Sequence, residues 1–154
     1  MNQIQRTIIL AAFAAVPPWA LAHTTVKDAW VRATVAEQKA SGAFMSITSE
    51  HGGKLVSAAS PVAGVVEVHE MAMSGNVMKM HAIPELALPA GQAVKLEPGG
   101  YHVMLMDLKQ QLKEGEVVPL TLVVEGKDGK RETLELKVPV KAAGAAMPMT
   151  EHKH

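Results

Sequence analysis

Short apolar runs with period-2 alternation, cut every few residues by Gly or Pro turns, constrain this chain more than any other feature. Alternation of that period puts successive side chains on opposite faces of a strand, whereas a helix needs a repeat near 3.6. Candidate strands are Val26–Ala33, Gly42–Ser49, Lys54–Ala59, Val65–Met71, Val77–Ala82, Ala93–Glu97, Tyr101–Asp107, Val117–Glu125 and Arg131–Val140. Between them stand His51-Gly52-Gly53, Ser60-Pro61, Ser74-Gly75-Asn76, Pro89-Ala90-Gly91, Pro98-Gly99-Gly100 and Gly126 to Gly129. Leu108 to Lys113 is expected to form one helical turn capped by Asp107. Many short strands with such punctuation predict an all-β sandwich. The chain has no cysteine. Disulfides and thiolate metal sites are therefore excluded, and the fold must rest on its apolar core.

The N-terminus reads as a secretory signal peptide over residues 1–22. Arg6 supplies the positive charge, Thr7 to Val16 is apolar but too short to span a bilayer, and Ala20-Leu21-Ala22 is a small-residue cleavage signal. The mature chain is then expected to start at His23, to be periplasmic, and to carry no membrane span. It would hold 132 residues, 154 minus 22, which suits one domain. We expect a β-domain over 23–140 and a flexible tail over 141–154. Without Arg6 the charges are 14 basic against 15 acidic. No basic stripe is present to meet phosphates, so nucleic acid is not an expected partner. No nucleophile–base pair, paired carboxylates or phosphate loop marks an enzyme.

The chemistry resides in histidine and methionine. Ten residues separate His69 from Met80, twenty-one separate Met80 from His102, and one separates His102 from Met104. Two imidazoles with two thioethers form a soft, neutral ligand set that points to Cu(I). Without a Cys thiolate, a blue-copper electron-transfer centre is excluded. His102 and Met104 share a strand face, as do His69 and Met71. A tight hairpin centred on Ser74-Gly75 would set His69 opposite Met80 and Met71 opposite Met78.

Other residues divide by position. Met71 and Met106 lie on the ligand faces and are expected to pack around the site, with Met71 an accessory metal candidate. Met73 and Met78 belong with them. His81 is expected on the opposite face and His51 in a solvated turn. His23, once N-terminal, could chelate Cu(II) through its amine and imidazole, though the sequence names no second histidine to join it. The tail carries Met147, Met149, His152 and His154, which form a candidate second copper site with the imidazoles suited to Cu(II).

With these residues placed, the chain resembles the periplasmic copper chaperone family PCuAC. The family pattern of His, ten residues, Met, twenty-one residues, His, one residue, Met is met by His69, Met80, His102 and Met104 without departure. The surrounding text, PVAGVVEVHEMAMSGNVMKMH at 61–81 and LPAGQAVKLEPGGYHVMLMDLKQQLKEGEVVPLTL at 88–122, is similar to the family as well. The resemblance covers roughly Asp28 to Val140. It implies a cupredoxin-like Greek-key β-sandwich that binds Cu(I). It also implies delivery of copper to an acceptor such as a cytochrome oxidase subunit, alongside a Sco-type thiol protein. Alternatives are a copper-buffering or resistance protein with the same site, a copper enzyme centred on His23, and a structural secreted β-domain whose Met and His are incidental.

Overall fold

A computed structural model describes residues 23–142, and all of its regular structure is β. Ten strands run in chain order: β1 (Thr24–Arg32), β2 (Ala40–Ser49), β3 (Gly53–Ala59), β4 (Ala63–Ser74), β5 (Val77–Ala82), β6 (Leu86–Leu88), β7 (Ala93–Leu96), β8 (His102–Leu108), β9 (Val117–Gly126) and β10 (Arg131–Lys141). The hydrogen-bonded order is β5-β4-β8-β2-β1-β10-β9-β3-β6, with β7 pairing β2 beyond the end of β8. The two halves join through a short parallel contact, Val31 with Val140 and Arg32 with Lys141.

Alternation decides which side chains lie between the halves. On β9, Val118, Leu120, Leu122 and Val124 are buried, and the residues between them are more exposed. On β8 the inward set is Val103 and Leu105. Both strands feed one core with Ile47, Leu55, Leu88, Leu96 and Val138. Burying apolar surface at roughly 25 cal/mol per Å2 is what holds a cysteine-free chain of this size together. The even-numbered residues of β8, His102, Met104 and Met106, consequently point away from that core.

Three local expectations are corrected. No helical turn forms over Leu108 to Lys113. The amide of Leu108 donates to Lys39 O at 3.0 Å, that of Lys109 to Val62 O at 2.9 Å, and that of Leu112 to Thr34 Oγ1 at 2.8 Å. The loops flanking β2 and β4 thus take these amides, and Leu112 is fully buried. Asp107 adopts a φ of 52° at the end of β8 rather than capping a helix. A short strand at Leu86–Leu88, unmarked by any long alternation, pairs with β3. The β4–β5 hairpin turns on Gly75-Asn76, with Ser74 opposite Val77, so Met71 faces Met80 and His69 faces Ala82. Gly75 has a φ of 64°, the conformation that a two-residue hairpin demands and glycine adopts without strain. The slip from the expected register is two residues, so every side chain keeps its face.

Candidate metal centre

Three strands bring the sequence-predicted ligands together. β4 and β8 pair antiparallel with His69 directly opposite His102 and Glu67 opposite Met104. β5 adds Met80 on the far side of β4, across from Met71 and diagonal to His69. All six share the face turned away from the core. The imidazole centroids of His69 and His102 are 5.8 Å apart. Met80 Sδ lies 3.2 Å from His102 Nε2. Met104 follows on the His102 face, part-buried, and Met71 and Met106 flank the group. Met147, Met149, His152 and His154 lie outside the described residues, as does the segment 1–22.

Each histidine is held by one nitrogen. His102 Nδ1 sits 3.1 Å from the carbonyl oxygen of Gly100, which can only accept, so Nδ1 carries the proton. The same carbonyl accepts from Met71 N–H at 3.3 Å, tying the ring to β4. In the neutral ring Nε2 then holds a lone pair, and that lone pair faces the sulfur of Met80. Two electron-pair donors converging at 3.2 Å make an arrangement shaped for a soft cation. His69 Nε2 donates to Glu67 Oε2 at 2.9 Å, while its buried Nδ1 has no hydrogen-bond partner. A buried, unpaired acceptor is costly unless something else satisfies it. A carboxylate on one ring nitrogen fixes the tautomer and makes the other nitrogen a better ligand.

The surroundings keep both rings away from bulk water. His69 and His102 are each 7% exposed, whereas Met80 is 47% exposed. Burial lowers the His102 pKa below its ordinary value of 6.5, partly offset by the Gly100 carbonyl, with His69 and Arg32 lowering it further. Phe44 lies 6.3 Å from His102 and 4.7 Å from Trp30, and the Arg32 guanidinium stands 5.2 Å over the Phe44 ring. Gly42 makes room for this stack, because a Cβ there would come within 3.0 Å of Phe44 Cζ.

Glu67 and the Gly100 carbonyl, which hold the two rings, are the groups that reading the ligand gaps misses. Glu67 was findable, since it stands two residues before His69 on one strand. Gly100 was not, because a backbone carbonyl leaves no mark in sequence. His81 is exposed on the other face of β5, 3.4 Å from Glu70, as expected. His23 and His51 lie away from the centre. Thr24 pairs with Ser49, five residues along β2 from Phe44.

A family model described as "Putative lipoprotein LpqE-like" matches residues 24–140. "Putative lipoprotein Lxx21020" of Leifsonia xyli subsp. xyli is 33% identical over 117 residues, covering 75% of this chain and 68% of that protein. Among solved structures, the Cu(I) form of DR1885 from Deinococcus radiodurans is 36% identical, with a TM-score of 0.60, covering 80% of this chain and 81% of that one. The apo PCuAC domain from PmoF1 is 24% identical with a TM-score of 0.61, covering 79% and 95%. The fold is therefore the cupredoxin-like β-sandwich that the resemblance implied.

Proposed function

Because the chain belongs to the LpqE-like family, which is related to the PCuAC copper-binding domains, we propose that it is an exported chaperone carrying Cu(I) on His69, Met80, His102 and Met104. The observation that carries this reading is the convergence of His102 Nε2 and Met80 Sδ beside the unpartnered Nδ1 of His69. The likeness to DR1885, whose solved form holds Cu(I), supports the same ion here. Copper is cargo in this reading, so the site must both hold and release it. Neutral, monodentate ligands from separate strands allow release one bond at a time, each replaced by a ligand of the acceptor. The buried imidazoles would anchor the ion. Met80, half-exposed on an edge strand, would be the first to yield.

The acceptor we propose is a periplasmic cuproprotein, with a cytochrome oxidase copper centre as the specific destination and a Sco-type thiol protein as co-worker. Residues 1–22 would direct export, 23–140 would carry the metal, and 141–154 would form a tail. The family's lipoprotein label agrees with export. A lipid anchor joined through cysteine sulfur, however, has no residue to use among these 154.

The test is Cu(I) competition against a chromophoric chelator with X-ray absorption. One Cu(I) per chain with mixed nitrogen and sulfur scattering is expected at the domain. His102→Ala with Met104→Ala should abolish tight binding while circular dichroism stays β. Wild-type affinity in that double variant would sink the assignment. Mixing the loaded protein with an apo copper-acceptor domain separates delivery from buffering. A chaperone transfers faster than free chelated copper does, and a buffer does not.

A further inference from the structure

The turn that joins β2 to β3 places a second group of metal-binding side chains far from the proposed Cu(I) centre. His23, Glu50 and His51 each offer a ligand atom, and these atoms all lie within 4.8 Å of one another. The imidazoles of His23 and His51 meet edge to face with centroids 4.8 Å apart. His23 Nδ1 is 3.9 Å from Glu50 Oε2. The backbone beneath is fixed: Glu50 N–H donates to His23 O at 2.7 Å, and Gly91 N–H to Ser49 O at 2.8 Å. Gly52, with a φ of 80°, bends the chain immediately after His51. All three side chains are exposed, and His23 and His51 line a cleft of about 730 Å3 that reaches the β9–β10 hairpin.

We propose that His23, Glu50 and His51 form a divalent-metal site selective for Cu(II). Metal bonds of about 2.0–2.2 Å hold two ligand atoms some 3–4 Å apart, so the observed spacing needs only small rotations of exposed side chains. Two imidazoles and a carboxylate suit divalent ions, and among these Cu(II) binds most tightly. No thioether is in the group, so it competes less well for Cu(I) than the sulfur-containing centre does. Cleavage after Ala22 would add the α-amino nitrogen of His23 as a fourth donor, on the same residue as one imidazole. His51 is exposed in its turn, as expected, and strand pairing between β1 and β2 supplies the partner that His23 lacked in sequence.

The test uses the exported full chain, with its N-terminus read by mass and with His152→Gln and His154→Gln introduced to silence the tail. Cu(II) is titrated as a salt against glycine and followed by electron paramagnetic resonance. One Cu(II) with nitrogen hyperfine structure is expected. His51→Gln should weaken it at least tenfold, and Glu50→Gln by less, while Cu(I) binding is unchanged in both. In the protein without these two substitutions, Cu(II) should broaden the ring resonances of His23 and His51 before any other histidine. Unchanged Cu(II) affinity in His51→Gln, or first broadening at another histidine, would overturn the proposal.

Discussion

Glu67 has no place among the proposed ligands, yet it determines which nitrogen of His69 is free. Removing its carboxylate leaves the ring able to rotate and to switch tautomer. Glu67→Ala should therefore lower Cu(I) affinity by about 10–100-fold, the usual cost of losing a group that orients a ligand. Chelator competition at fixed pH measures it, and Glu67→Asp should not restore the loss, because the shorter arm falls short of Nε2. Acidity acts on the His102 ring. Burial keeps His102 below its ordinary 6.5, so protons compete with copper at that ring only under more acidic conditions than for a free imidazole. Cu(I) affinity should be flat above neutrality and fall only once pH drops below the ordinary imidazole value of 6.5, reported by titration at constant chelator. The same shift affects the fold. The unfolded chain takes up this proton near 6.5 and the folded chain at lower pH, so stability is lost as pH falls below 6.5, with no change above it. Sequence gaps identified the residues brought together here because strand alternation alone puts His102 with Met104 and His69 with Met71. The contact between the two histidines was not legible. It depends on β4 finding β8 through sheet packing, for which no local pattern exists.

Nine candidate strands are present among the ten, since alternation survives wherever one face meets the core and the other meets water. Leu86–Leu88 escaped because three residues are too few to establish a period. Leu108 to Lys113 misled because a single turn of helix is not stable on its own, and neighbouring carbonyls compete for its amides. The segment is held instead by Leu112. Leu112→Ala should cost about 2–5 kcal/mol, as expected for emptying a fully buried leucine site. Urea unfolding would show this as a lower midpoint with an unchanged slope. The hairpin register was misjudged by two residues because Ser74-Gly75 and Gly75-Asn76 are both plausible turns. The error left the faces intact, so Met80 still shares a face with His69 and Met71.

At the scale of the molecule, the core lies between the two halves and the proposed copper centre lies on the outer face of one of them. Loss of the ligands should accordingly leave the fold standing. The tail is a separate matter. Residues 143–154 stand outside the described chain, and their Met147, Met149, His152 and His154 remain a proposed second Cu(II) site. Deleting them should remove one Cu(II) equivalent and leave the Cu(I) equivalent unchanged, as read by metal analysis after desalting. The direct pairing of His69 with His102 has a consequence of another kind. The two residues are 33 positions apart, 102 minus 69, so their ligand atoms meet only when β4 and β8 are already zipped together. An ion held between them binds the folded chain and not the unfolded one. At a hundredfold excess over Kd, it adds about 2.7 kcal/mol against unfolding. The melting temperature should climb with Cu(I) in the wild type and stay fixed in the His102 and Met104 double variant. Giving up the ion then returns the carrier to its weaker, more easily cleaved state. Proteases that sample open chains would therefore remove empty carriers sooner than full ones, and the lifetime of the protein would itself record the supply of copper.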